Sequence, residues 1–300
     1  MNSISIKRSW RAAAAAGTLL SGGVLLAMAA DAPSVTPPAA GVAETTLDLG
    51  DGAAIRLALV PAGRFTMGSP PTDKQRSGLD EAQHEVTRSK PFQIGVTHVT
   101  VDQFAVFVKK TGYTTDAERE GGGPTWREPG IPQKGDHPVV CISYNDAKAF
   151  CDWLTKVSGK NCHLPSEAQW EYACRAGATT VYSWGDEAAS GRPWAYWNAA
   201  QPGTVPAGSL KPNAWGLCDM HGNALQWCSD FYGAYAKEPV TDPAGPVAPF
   251  RFDSSGGQTH VLRGGAWHLP PPQCRSAYRQ WGAVDHRFSS LGFRVCVDAP

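Results

Sequence analysis

KPNAWGLCDMHGNALQWCSDFY, residues 211–232, packs Trp215, Trp227, Cys218 and Cys228 among glycines and asparagines. Gly222 suits a tight turn or a close backbone approach, and the tryptophans supply large buried area to a fold short of long helices. The same mixture extends outward. Gly, Pro, Trp and Asn are spread evenly from Thr45 to the C-terminus, with no internal linker and no fixed repeat. This predicts one loop-rich domain over residues 45–300, with irregular structure dominating its second half.

Three helices stand out. In TVDQFAVFVKK, Thr100 and Gln103 have capping-box spacing, and Phe104, Phe107 and Val108 recur at helical intervals. In SYNDAKAFCDWLTKVSGK, Ser143 and Asp146 cap a helix that buries Ala147, Phe150, Cys151 and Leu154 and stops at Gly159. In LPSEAQWEYACRAG, Ser166 caps, Gln169 answers it, Trp170, Ala173 and Cys174 face inward, and Gly177 ends the helix. Strand-like runs cover Ile55–Val60, Arg64–Met67, Phe92–Val96, Val261–Arg263 and Gly292–Val297.

At the N-terminus, Lys7, Arg8 and Arg11 precede an apolar run from Ala12 to Ala30, the layout of a signal peptide over residues 1–29. Residues 30–44, rich in Pro and Ala, read as a linker. A cleaved signal implies a periplasmic or secreted protein with no stable membrane insertion afterwards; the alternative is an uncleaved membrane anchor, against which Ser21, Gly22 and Gly23 weigh. Cleavage also removes three cations, leaving 24 Lys+Arg (27 less those three) against 27 Asp+Glu, about −3. No basic stripe for nucleic acid is present. Eight cysteines in an exported chain favour disulfides, and eight allow 105 pairings.

P-loop, HExxH, GxSxG and paired CxxC motifs are all absent, and the eight histidines are scattered. Trp267, Tyr278 and Trp281 outline an aromatic groove suited to a peptide or small molecule.

Nine strings, in order, resemble the formylglycine-generating enzyme (sulfatase-modifying factor) family: FTMGS (65–69), PFQIGVTHVTVDQF (91–104), HPVVCISYNDAKAFCDWL (137–154), HLPSEAQWEYACRAG (163–177), YSWGD (182–186), the opening segment, VLRGGAW (261–267), CRSAYR (274–279) and LGFRV (291–295). The resemblance implies a complex α/β, C-type-lectin-like fold with little regular structure. It also implies an oxidase that converts a sulfatase cysteine to formylglycine with molecular oxygen, using two thiolates on copper(I).

Carried over position by position, the resemblance puts the thiolate pair at Leu269 and Cys274, an active-site serine at Ala266 and an oxygen-pocket tryptophan at Leu225. Copper chemistry needs soft sulfur ligands, so the loss of the first cysteine argues against copper. The triple proline of HLPPPQ predicts a stiff extended path beside it. Cys274 is then either a surviving catalytic thiol or the partner of Cys228 in a disulfide. The resemblance further implies a Cys174 to Cys296 bridge, leaving Cys141, Cys151, Cys162 and Cys218 with three connectivities. It places calcium at Asp219, Gly222, Ala224 and Gln226, where Gln226 replaces a glutamate, and half of a second calcium site at Asn198 and Ala199. Three functions follow: an active oxidase, a non-catalytic binding or assembly module, or a modifier of a secreted peptide-like metabolite. Each works on an exported protein or peptide-like partner.

Overall fold

A computed structural model describes residues 42–76, 81–192, 195–198, 200–248 and 258–299. The expected signal peptide lies outside the described residues, as do most of the linker and Ala199.

A five-stranded sheet in the order β1-β2-β5-β12-β6 forms the centre. It is built from β1 (Glu44–Gly50), β2 (Ala53–Val60), β5 (Phe92–Gly95), β12 (Cys296–Asp298) and β6 (Cys162–His163), all antiparallel. The ladder starts at Glu44, opposite Ala58, so the last residue assigned to the linker is already strand. Strand alternation sends Ile55 and Leu57 to one face and Ala58 and Val60 to the other. Both faces are covered. On the first lie α1 (Val101–Thr111) and α3 (Tyr144–Ser158), bringing Phe104, Phe107, Phe150 and Leu154. On the second lies α4 (Glu167–Arg175), bringing Trp170 and Cys174, joined by Trp215.

The three expected helices form with capping boxes at Thr100, Ser143 and Ser166. In α4 the left-handed C-cap falls on Ala176 rather than Gly177, and all nine of its residues are buried. A short α2 (Asp116–Glu120) was not signalled by periodicity; its own capping box at Thr115 was the available cue.

A second sheet, β10-β9-β7-β11, joins Gln280–Ala283, Thr259–Arg263, Leu225–Phe231 and Leu291–Gly292. A third joins β3 (Gly63–Met67), β4 (His84–Arg88) and β8 (Val240–Thr241). The run expected as one strand over Gly292–Val297 is two, because the chain changes sheets within it. Leu291 and Gly292 pair with β7, while Cys296 onward pairs with β5 and β6. The crossing residues Phe293, Arg294 and Val295 are fully buried, and their carbonyls at 293 and 295 accept from Val99 and Gly95.

Candidate functional site

Buried arginines fix the segments around the site. Arg263, at the end of β9, has no exposed surface; its guanidinium pairs with Glu171 of α4 and lies over the Trp170 ring at 5.0 Å. Arg279 grips Glu167 through hydrogen bonds of 2.6 and 2.8 Å. Burial by itself raises the Glu167 carboxyl, but the Arg279 and Arg263 charges outweigh it and hold the group ionised. Arg275 holds Glu81 at 2.8 and 2.9 Å and Asp73 at 3.0 Å. The sequence strings VLRGGAW and CRSAYR carried these arginines in plain view, but their acidic partners are distant in sequence, so the network itself was missed.

After Arg263 the chain turns through Gly264 and Gly265, both at positive φ (95° and 72°). A β-carbon on Gly265 would sit 2.4 Å from the Cys274 sulfur and 2.7 Å from the Gln273 carbonyl. The double glycine therefore lets residues 273–274 pack directly on the turn. The extended path expected of the three prolines holds only at Pro270. Residues Pro271–Cys274 form a 3₁₀ turn, which proline enters readily at its first positions because no N–H is needed there.

At the position of the first thiolate, Leu269 packs partly buried against the first core cluster, and its N–H reaches the Ala266 carbonyl at 3.0 Å. Ala266 is fully buried and Leu225 nearly so. Cys274 is also fully buried, and burial pushes its thiol up to about 12 despite a hydrogen bond with the Ala266 backbone. A thiolate is the form that attacks, so Cys274 is a poor nucleophile in this setting. Among the described residues, no group of three or more His, Cys, Asp or Glu is placed to hold a metal ion. One neutral thiol beside a leucine does not fit copper(I).

All eight cysteines are buried and stand as free thiols in this structure, with Cys228 not joined to Cys274 and Cys174 not joined to Cys296. The sulfurs have other partners. Cys274 packs on the glycine turn, Cys228 and Cys296 belong to the second core cluster, and Cys174 lies 3.5 Å from His221 Nε2.

His221 was not singled out by sequence. Its Nδ1 is 2.8 Å from the Cys274 carbonyl, which only accepts, so Nδ1 carries the proton and Nε2 is the acceptor. Nε2 faces the Ser183 hydroxyl at 3.1 Å and the Ser183 N–H at 3.3 Å. Burial lowers its pKa to about 4, so the ring is neutral. Trp184 stands edge-on to it at 4.7 Å and stacks on Tyr182, also at 4.7 Å; Trp197 lies 6.0 Å from Trp184. This aromatic group adjoins Pro271, whose carbonyl accepts from the Tyr182 hydroxyl at 3.0 Å. By contrast, Trp267, Tyr278 and Trp281 form no ring contact with one another among the described residues. Trp267 meets His268, and Trp281 meets His286.

Of the four residues expected for calcium, Gln226 and Asp219 meet Arg294. The Gln226 side-chain oxygen accepts from both Trp170 Nε1 (2.8 Å) and Arg294 Nε (2.7 Å), which uses both of its lone pairs. Its amide donates to the Asp219 carbonyl at 3.2 Å, and the Ala224 carbonyl accepts from His98 at 2.8 Å. Arg294 also donates to the carbonyls of Gly95 and Cys218. Asp219 Oδ2 accepts from Gly208 N, and the buried Oδ1 has no hydrogen-bond partner among the described residues. A guanidinium already among these carbonyls and a single carboxylate do not fit a calcium ion, which takes six to eight oxygens. At the second expected site, Asn198 Oδ1 accepts from Ala200 N at 3.3 Å.

The architecture and the buried turn define a loop-rich α/β protein with a double-glycine turn at its candidate site. The sulfatase-modifying factor enzyme 1-like domain matches residues 52–299, and the chain belongs to that family. It is 35% identical over 292 residues to a formylglycine-generating enzyme of Streptomyces coelicolor (strain ATCC BAA-471 / A3(2) / M145), covering 80% of this chain and 88% of that one. It is 32% identical over 305 residues to the inactive C-alpha-formylglycine-generating enzyme 2 of Bos taurus, covering 84% and 91%. Its fold matches the structure of PvdO from Pseudomonas aeruginosa with a TM-score of 0.71 at 30% identity, covering 85% and 98%. No helix among the described residues is long and apolar enough to cross a membrane.

Proposed function

We propose that this chain is an exported, periplasmic or secreted family member that lacks the two-thiolate copper chemistry and acts by binding an exported protein or a peptide-like partner. The observation that carries this reading is the pair of positions beyond the glycine turn: Leu269 is aliphatic and core-packed, and Cys274 is a fully buried neutral thiol. Its likeness to a relative named as inactive supports the same reading. Arg294 and Gln226 brace the segment assigned to calcium in place of a cation. The half-buried rings of Trp184 and Trp197, backed by the buried Tyr182 and His221, offer a surface beside that turn suited to a peptide-like partner.

The test is incubation of the purified protein with copper(I), oxygen and a peptide carrying a sulfatase-type cysteine, followed by mass spectrometry. We expect the peptide cysteine to remain intact. Conversion of that cysteine to formylglycine by wild type, and its loss in Cys274→Ala, would establish the oxidase instead.

A further inference from the structure

A cavity of about 350 Å³ lies away from the glycine turn, between α4, β4, β8 and the segment 233–246. That size falls within the usual range of small-molecule sites. Met67, Ala168, Val240, Pro243 and Pro246 give it aliphatic walls. Three charged side chains line it: Glu167, Arg279 and Asp230. Glu167 and Arg279 neutralise each other through their paired hydrogen bonds, and the Arg279 guanidinium is covered by the Tyr235 ring at 3.9 Å. Asp230 forms no ion pair of its own among the described residues.

Asp230 is 5% exposed. Its Oδ2 accepts from Glu167 N (2.9 Å) and the Ser229 hydroxyl (3.1 Å), while Oδ1 meets no donor among the described residues. His84 offers a second acceptor. Its Nδ1 lies 3.2 Å from the Ala82 carbonyl and so carries the proton, leaving Nε2 with a lone pair and no donor among the described residues. Two acceptors, one of them a carboxylate oxygen without a donor, inside aliphatic walls complement a donor-only cation on a hydrocarbon stem.

We propose that this cavity binds a primary aliphatic amine, the chemistry shared by a free alkylamine and a lysine side chain, with the ammonium held by Asp230 and His84. The site is independent of the function proposed above. In the empty cavity, burial and the Glu167 charge push the Asp230 carboxyl up to about 7 against the opposing pull of Arg279. The other groups facing it are His84 and Tyr235 across the cavity and His260 of β9. An ammonium favours the ionised carboxylate, so binding strengthens as the pH rises from 6 to 8, by about tenfold for a group titrating near 7.

Calorimetry on the whole protein with n-hexylamine, Nα-acetyl-lysine amide, n-hexanol and hexanoate tests this. We expect n-hexylamine to bind and hexanol and hexanoate not to bind. Binding of acetyl-lysine amide as well assigns the site to a peptide lysine; binding of hexylamine alone assigns it to a free amine. Asp230→Asn should weaken hexylamine at least tenfold and flatten the pH dependence. Because Asp230 also caps α4, Ala236→Trp at the exposed rim provides a second variant, expected to fold normally and to lose binding. Equal binding of hexanol or hexanoate, no binding of either amine, or unchanged hexylamine affinity in folded Ala236→Trp would overturn the proposal.

Discussion

Gly265 shows how one backbone position shapes the candidate site. Any side chain there meets the Cys274 sulfur and the Gln273 carbonyl, in a left-handed conformation that non-glycine residues adopt at a cost of about 1–3 kcal/mol. Gly265→Ala is therefore expected to lower stability by at least about 2 kcal/mol, measured by urea unfolding, and to expose Cys274 to a thiol reagent. Stability within about 0.5 kcal/mol of wild type would show that the turn has room to spare. At this scale the sequence was informative where a residue's chemistry is its own. Leu269, Ala266 and Leu225 were visible as departures because no neighbour is needed to see that they carry no sulfur, hydroxyl or indole. Partnerships were not visible. The pairing of Cys228 with Cys274 was inferred from an oxidising compartment, and the structure spends both sulfurs on packing. His221 drew no attention because its partners, the Cys274 carbonyl and Ser183, lie 53 and 38 residues away.

Between elements, the link from α4 to β9 rests on charges removed from water. Arg263 and Glu171 each have no exposed side-chain surface, and Arg175 holds the other Glu171 oxygen at 2.9 Å. Removing one member of such a group leaves a buried charge undercompensated. Arg263→Met is expected to cost about 3–5 kcal/mol in urea unfolding, with part of the loss recovered in Arg263→Met/Glu171→Gln. If the two single changes simply add, the ion pair is not coupled as described. Helices were legible because their signals are local: each of α1, α3 and α4 announces itself by a cap and its answering side chain within four residues. Strands β1, β4, β7 and β10 were not read as strands. Their assignment depends on partners far along the chain, as when Gln280 meets Leu262, and no short window contains both. The division of Gly292–Val297 between two sheets was invisible for the same reason.

For the whole molecule, the buried neutral histidines set an acid limit on stability. His98 is 1% exposed, and burial, followed by the Arg294 charge, lowers its pKa to about 3. An unfolded histidine titrates near 6.5, so below that pH the unfolded chain binds a proton that the folded chain refuses. The stability His98 confers is complete above pH 6.5 and is lost as the pH falls toward 3, at about 1.4 kcal/mol per pH unit. Compared with His98→Gln, wild type should lose unfolding free energy more steeply by that amount between pH 6 and 4; parallel profiles would contradict the assignment of a neutral buried ring. The whole-chain fold class was legible from the ordered strings alone, whereas the open oxygen of Asp230 and its cavity emerge only once α4, β4 and β8 are brought together. The central claim is that the two positions beyond the glycine turn hold one buried neutral thiol and no metal centre. Titration of the reduced protein with copper(I) against a competing chromophoric chelator tests it most directly. The account predicts no stoichiometric tight binding and identical curves for wild type and Cys274→Ala; one tightly held equivalent that disappears in Cys274→Ala would contradict it.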